Sequence, residues 1–294
     1  MNYFDKKVIW ITGASSGIGK ELAIQLSKLG AVLVLTARRE NELEKVKQLC
    51  GNSEVHLFPY DLENLENIPD LYDSVIKAVN GIDILINNAG ISAWSSVNET
   101  DLEVYKRVMN LDYFSVVSLT KSVLPDMIKK KSGQIVTNTS LMGKFSSKKR
   151  SVYASAKHAL HGFIDALRAE VYQHNIKVNI VAPGYVNTEV GIKALVEDGV
   201  SYGKNDRGHD SKGMKDEKAA KMIDEIQHRY KGLPFAERWL HQIQENDATN
   251  SLTKLMRAGI VSYYPVLDEL GKGMVAQSEH TVLITNSGSE VLTT

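Results

Sequence analysis

The sequence predicts an α/β protein in three layers: a doubly wound parallel sheet with helices on both faces, followed by an atypical C-terminal segment. Two observations carry that prediction. Short runs rich in Val, Ile and Leu alternate with amphipathic helical patterns through the first two-thirds of the chain, the order expected when helices connect parallel strands. The first run opens into the glycine-rich turn Thr12-Gly13-Ala14-Ser15-Ser16-Gly17-Ile18-Gly19, and a helical pattern starts at once.

Taken in order, Val8 to Ile11 reads as the first strand and Lys20 to Leu29 as its helix. Val32 to Thr36 is the second strand, with a helix over Glu40 to Cys50, and Val55 to Pro59 the third, with a helix over Leu65 to Val79. Ile82 to Asn87 is the fourth strand; Asp101 to Lys130 then reads as one long helix whose natural interruption is Pro125. Gln134 to Asn138, the helix Val152 to His174 and Lys177 to Ala182 complete six strands. This predicts one domain over residues 1–231. Within it, 189–215 turns rich in Gly, Asp, Lys and Tyr just past the sixth strand, where ligands of open α/β sheets bind. That stretch fits a substrate lid, or a surface insertion. Asp216 to Tyr230 returns to helix, with Ala219, Ala220, Ile223 and Ile226 on one face. Residues 232–294 form an extension, with helical patterns over Leu233 to Ile243 and Leu252 to Leu270, a polar turn from Glu245 to Ser251, and a strand over His280 to Thr285. The extension can be read as an interface, a lid or a further strand.

Composition narrows the function classes. The 35 basic and 35 acidic side chains cancel, so no field suited to nucleic acid is expected. The lone cysteine, Cys50, excludes an internal disulfide and suits a reducing compartment, where it reads as a buried structural thiol. No apolar run approaches the ~20 residues that span a bilayer. The first strand starts too early to leave room for a signal peptide. A cytoplasmic location is the expectation. His158 and His161 complete no ligand set, so no metal is expected.

A strand, a glycine turn and a helix N-terminus make an anion site, because unpaired N–H groups and the positive end of the helix dipole meet where glycine lets a pyrophosphate approach the backbone. The spacing here is Gly13-x-x-x-Gly17-x-Gly19. Further landmarks follow: Asn87-Asn88-Ala89-Gly90 after the fourth strand, Asn110 in the next helix, Ser140 ahead of Tyr153-x-x-x-Lys157, and Pro183-Gly184 after the sixth strand. In this order and context the set resembles the short-chain dehydrogenase/reductase family, over roughly residues 5–230 and on the hydroxysteroid-dehydrogenase and carbonyl-reductase side.

The resemblance implies a Rossmann fold and a nicotinamide dinucleotide held by Gly13, Ser15, Ser16, Gly17, Ile18 and Gly19. It also implies adenine contacts from Asp61 and Leu62, ribose contacts from Asn88, Ala89 and Gly90, and nicotinamide contacts from Pro183, Gly184, Val186 and Thr188. Arg38 and Arg39 close the second strand, where an acidic residue would suit NAD and an arginine fork suits the 2′-phosphate of NADP(H), the cofactor expected here. Hydride transfer to a carbonyl needs a proton donor at the oxygen. Tyr153 is the candidate, although an unperturbed phenol titrates near pH ~10. Lys157 shares its helix face and, as a cation, favours the phenolate, besides reaching the nicotinamide ribose. Ser140 would hold the substrate oxygen, and Asn110 resembles the family residue that links the lysine to solvent by a water chain. The expected substrate is a ketone of medium size, an aldehyde or the matching secondary alcohol, with Ser140, Met142, Tyr153 and Tyr185 at its site and Phe145, Tyr202 and Met214 as further apolar wall. Lys148, Lys149 and Arg150 fit either an anion-attracting wall or, more simply, a solvated loop face. A homodimer or homotetramer is implied, while the unusual tail leaves room for a rival reading, an NADP-binding redox regulator without turnover.

Overall fold

The computed structural model describes residues 2–184, 186, 188, 190, 193–201, 216–230, 248–257, 282–285 and 288–291. The chain forms two compact units, Met1–Asp206 and Arg207–Thr294.

The first unit contains β1 (Val8–Thr12), α1 (Gly17–Lys28), β2 (Val32–Ala37), α2 (Glu40–Leu49), β3 (Val55–Pro59), α3 (Ile68–Val79) and β4 (Ile84–Asn87). These are followed by α4 (Leu102–Met109), a π-helical turn at Asn110–Phe114, α5 (Ser115–Lys130), β5 (Gly133–Asn138), α6 (Ser151–Val171) and β6 (Ile176–Val181). The strands form one parallel sheet in the order β3-β2-β1-β4-β5-β6. Successive side chains of a strand face opposite ways, and the two cores follow from that period. Ile9 and Ile11 of β1, with Leu33 and Leu35 of β2, pack under Ala23 and Leu26 of α1 and Leu43 and Val46 of α2. Trp10, Val34, Leu85 and Ile135 face the other way, against Leu71 of α3, Leu119 of α5 and Ile164 of α6. Trp10 is fully buried, and its indole N–H donates to Thr36 Oγ1 at 2.8 Å, so its polar atom is satisfied inside the core. Strand order turns back between β1 and β4, and the crevice outside their carboxyl ends is where this architecture places ligands.

The interruption expected at Pro125 falls elsewhere. Pro125 lies inside α5 on an exposed position, where the carbonyl freed by the missing N–H faces water. The irregularity is the π turn fifteen residues earlier, which hydrogen-bonds Ser115 N–H to the Asn110 carbonyl.

In the second unit, α7 (Glu217–Tyr230) and α8 (Ala248–Arg257) bury Ala219, Met222, Ile223 and Ile226 against Ala248, Leu252 and Leu255. Ala248 to Ser251, expected in a polar turn, instead open α8, because Ala248 and Ser251 fall on its buried face. The strand expected over His280 to Thr285 is β7 (Val282–Thr285), paired antiparallel with β8 (Gly288–Val291) in a separate two-stranded sheet. The helix expected over Leu233 to Ile243, most of the expected lid and the residues Tyr185, Tyr202 and Met214 lie outside the described residues. No helix among the described residues is long and apolar enough to cross a membrane.

Leu119→Ala, at a 1% exposed site, is expected to cost about 3 kcal/mol, whereas Leu49→Ala, at a 54% exposed site, should stay within about 0.5 kcal/mol. Urea unfolding of both variants beside the unmodified protein checks the pair.

Candidate active site

The floor of the crevice is a polar network that joins three strand ends. Thr12 closes β1, and its Oγ1 accepts from the backbone N–H groups of Asn88 at 2.9 Å and Ala89 at 3.0 Å, while donating to the Ile86 carbonyl at 3.4 Å. The Asn88 amide donates back to the Thr12 carbonyl at 2.9 Å and its oxygen accepts from Asn138 at the end of β5, at 3.0 Å. Gly13 sits at φ +65°, and a Cβ there would lie 2.8 Å from the Ala89 Cα, so the two loops meet closer than any side chain allows. Gly17 has φ +55° at the start of α1, and a Cβ would meet the Thr188 methyl at 3.2 Å, which brings Thr188 to the glycine loop. Turn, close approach and helix N-terminus together fit a bound pyrophosphate.

The arginines behave differently from each other. Arg39 Nη2 donates to Ser15 Oγ at 3.3 Å, at the rim of the glycine loop. Arg38 faces two carboxylates, Asp61 at 3.8 Å and Glu63 at 3.5 Å. The second Asp61 oxygen accepts from the Glu63 N–H at 3.1 Å, a local turn. Leu62 is 3% exposed and belongs to the same buried core as Trp10 and Leu71, so its side chain offers little surface to an adenine ring.

Ser140 stands in extended conformation after β5, its Oγ accepting from Met142 N–H at 3.1 Å. Leu141 N–H donates to the Pro183 carbonyl at 3.2 Å, tying the loop that bears Ser140 and Met142 to the loop with Pro183 and Gly184. Behind it, Thr139 Oγ1 donates to the Val181 carbonyl at 3.2 Å and contacts His161 Nε2 at 3.1 Å. With its hydrogen already spent, the threonine oxygen must accept, so the imidazole carries its proton on Nε2. Burial pushes His161 below the ordinary histidine range, and Lys144 adds to that effect. Gly143 makes room for this ring, since a Cβ there would lie 2.6 Å from it.

Tyr153 and Lys157 lie one turn apart on α6, with Lys157 Nζ 5.4 Å from the Tyr153 ring centre. Lys157 is 4% exposed, and its ammonium is paired at 2.9 Å with Asp112, which is fully buried. The other Asp112 oxygen accepts from Ile91 N–H at 2.8 Å, directly after Asn88-Ala89-Gly90. Burial pushes the Asp112 carboxyl up, and Lys157 and the Ile91 N–H pull it back only in part. Burial also works against the Lys157 ammonium, but Asp112 and Tyr153 together hold it above the ordinary lysine range. Asn110 heads the same π turn, two residues before Asp112, and its carbonyl is taken by Ser115 N–H. The structure therefore brings Tyr153 and Lys157 together, and Asp112 rather than Asn110 supplies the side chain on Lys157.

Arg150 is no solvated loop residue, unlike the exposed Lys148 and Lys149. Its guanidinium lies 4.4 Å from the centre of the Trp94 ring and donates to Ser92 Oγ at 2.8 Å and the Ala93 carbonyl at 3.1 Å, clamping the segment after β4 onto the start of α6. Thr12, Asp112, Asn138 and His161 are marked as site residues by no motif in the sequence, and Arg150 stands out there only as one of a basic run. Each works through a contact far away in the chain, which no local spacing announces.

A family profile described as short chain dehydrogenase matches residues 7–197. The chain belongs to this family. It is an oxidoreductase of the short-chain type, and the profile ends near the boundary of the first unit. A Drosophila melanogaster "Dehydrogenase/reductase SDR family protein 7-like" is 42% identical over 228 residues, covering 76% of this chain and 70% of the relative. Among the curated relatives compared, the chain spans between 56% and 75% of their lengths. L-Sorbose reductase from Gluconobacter frateurii, solved with NADPH and L-sorbose, superposes at a TM-score of 0.62 with 32% identity, over 65% of this chain and 73% of that one. NAD+-bound xylitol dehydrogenase superposes at 0.60 with 27% identity, over 62% and 72%. These neighbours support a nicotinamide dinucleotide as the cofactor, and proteins of this shape are solved with either form.

Thr12→Val keeps the shape but leaves the Asn88 and Ala89 N–H groups without their acceptor, so a loss of about 2 kcal/mol is expected. Amide hydrogen exchange should speed up at Asn88 and Ala89 before it does in α2, which the network does not touch.

Proposed function

We propose that the protein is an NADP(H)-dependent reductase of small ketones or aldehydes, also able to oxidise the matching secondary alcohols, with Tyr153 as the general acid and base. The observation that carries the reading is the Tyr153 and Lys157 pair on one face of α6, beside the crevice at the carboxyl end of the sheet. A nicotinamide dinucleotide held at the glycine loop of Gly13, Gly17 and Gly19 would supply or accept the hydride at the substrate carbon. As the oxygen gains charge, the Tyr153 hydroxyl gives it a proton, so C=O becomes CH–OH; the reverse reaction returns proton and hydride. Ser140, held in extended backbone on a short anchored loop, is suited to donate to the same oxygen. Lys157 stands beside the phenol ring, where its ammonium and the carboxylate paired with it together set how readily the phenol gives up its proton.

Support for NADP comes from Arg38 and Arg39 at the end of β2, with no acidic residue at the strand end to claim a ribose 2′-hydroxyl. Arg39, which donates to the neutral Ser15 where Arg38 faces two carboxylates, is the stronger of the two. Dimer or tetramer formation and a cytoplasmic location belong to the same proposal, and the substrate is a neutral molecule of modest size.

Turnover of a panel of ketones, diones, aldehydes and hydroxysteroids should consume NADPH in preference to NADH. Tyr153→Phe is expected to lower that turnover at least about a hundredfold while NADPH binding, followed by its fluorescence, is kept. Unchanged turnover would remove Tyr153 from the acid's role. Arg39→Ala should weaken NADPH about tenfold and leave NADH nearly unaffected, the loss of one charge-assisted contact to phosphate.

A further inference from the structure

Asp112 is a fully buried carboxylate whose function the preceding reading does not use. Its position is overdetermined. The π turn at Asn110–Phe114 carries it inward, Ile91 N–H binds one oxygen, and Gly90 presents its bare Cα to the other, where a Cβ would lie 3.0 Å from Oδ2. Lys157 Nζ completes the set at 2.9 Å. A buried ion pair is a poor route to stability, because desolvating two charges costs about as much as their attraction returns. Apolar side chains would fill the same space at less cost.

Resting on the catalytic reading above, we propose that Asp112 is a positioning residue that neutralises Lys157, so that Tyr153 keeps its proton and the site is poised to reduce carbonyls rather than to oxidise alcohols. A lone buried ammonium beside a phenol strongly favours the phenolate, the form needed for alcohol oxidation. An ammonium bound to a carboxylate presents a dipole instead of a net charge, and its pull on the phenol falls accordingly. The enzyme cannot move the equilibrium between ketone and alcohol, but it does set which form of its acid is populated at a given pH. Among the described residues, the other charged groups around this centre are Arg150 near Tyr153 and Glu63 near Asp112. Glu63 is already held by Arg107 at 3.1 Å and Arg38 at 3.5 Å, so it does not replace Asp112 as counter-charge, and Arg150, itself a cation, cannot.

The test compares the full chain with Asp112→Asn, Asp112→Ser and Asp112→Glu. The phenolate absorbance step that Tyr153→Phe abolishes is titrated in each, and turnover is followed against pH in both directions. Removing the negative charge favours the phenolate. In the Asn and Ser variants that step should therefore move to lower pH by about one unit, carrying down both the rising limb of alcohol oxidation and the falling limb of carbonyl reduction. Asp112→Glu keeps the charge and should keep the midpoint, even where turnover drops. A folded charge-free variant with an unmoved midpoint overturns the proposal, as does a Glu variant that shifts as far as the Asn one. If neither charge-free variant folds, Asp112 is a structural requirement and the proposal is wrong. The absorbance titration needs no turnover, so a protein that shows the shift yet reduces no carbonyl overturns the catalytic reading alone.

Discussion

The tight approach of the β1 and β4 ends is the constraint on which the site depends. Two parallel strands that diverge into separate loops leave backbone N–H groups facing a buried crevice, and each must find an acceptor. Thr12 answers for two of them with one hydroxyl, and the Asn88 amide closes the loop back onto the Thr12 carbonyl. Only glycine at position 13 permits that spacing, because its Cα rests against Ala89. The same glycine gives the following turn its left-handed conformation, so the packing requirement and the anion site are met by one residue. Asn138 extends the arrangement to β5 and thus to the loop carrying Ser140. The glycine loop, the segment after β4 and the loop carrying Ser140 are therefore parts of one hydrogen-bonded unit, and their positions follow from the sheet.

Electrostatics at the other side of the crevice follow from burial. Lys157 has almost no contact with water, so its charge must be balanced by protein. Asp112 balances it, and the π turn is what allows α4 and α5 to deliver that carboxylate without breaking the helical run. A regular helix would rotate residues 110–114 differently relative to α6. The irregularity therefore has a task that a proline kink could not perform, since Pro125 faces solvent and changes nothing that the site touches.

Much of this was legible in the sequence, for a stated physical reason. Strand and helix periods, the glycine loop and the Tyr153–Lys157 spacing are local patterns, and local patterns survive without coordinates. Asp112 shows where that ends. Asn110 and Asp112 are both polar and stand two apart in an apparently continuous helix, and a regular helical reading cannot tell which one meets Lys157. The π turn decides the matter, and nothing in the composition of Asn110–Phe114 announces a π turn. The burial of Leu62 was hidden for a related reason: its neighbour Asp61 is exposed, yet Leu62 itself turns into the core. Arg150 is the same lesson in reverse. A run of three basic residues suggested one solvated face, but Trp94 and two oxygens, more than fifty residues away, select one of the three.

The two arginines at the end of β2 show how far a sequence argument for cofactor choice can be refined by geometry. As residue types Arg38 and Arg39 are equivalent, two permanent cations that suit a phosphate. Their surroundings are not equivalent. Arg38 is half-exposed and lies within 4 Å of two carboxylates, so an arriving phosphate would have to compete with Asp61 and Glu63 and would feel their repulsion. Such loose pairs in water are worth little and exchange of partners is cheap, but with Arg107 also on Glu63 the cluster is balanced and leaves Arg38 no free charge to offer an anion. Arg39 has a neutral partner, Ser15, which itself belongs to the glycine loop. An anion bound there would meet that guanidinium and the N–H groups of α1 together, with Glu42 in the next helical turn near enough to feel the same charge. The proposed preference for NADP therefore rests on Arg39 and on the direction its fork takes from Ser15, with Arg38 and its two carboxylates setting the edge of the site.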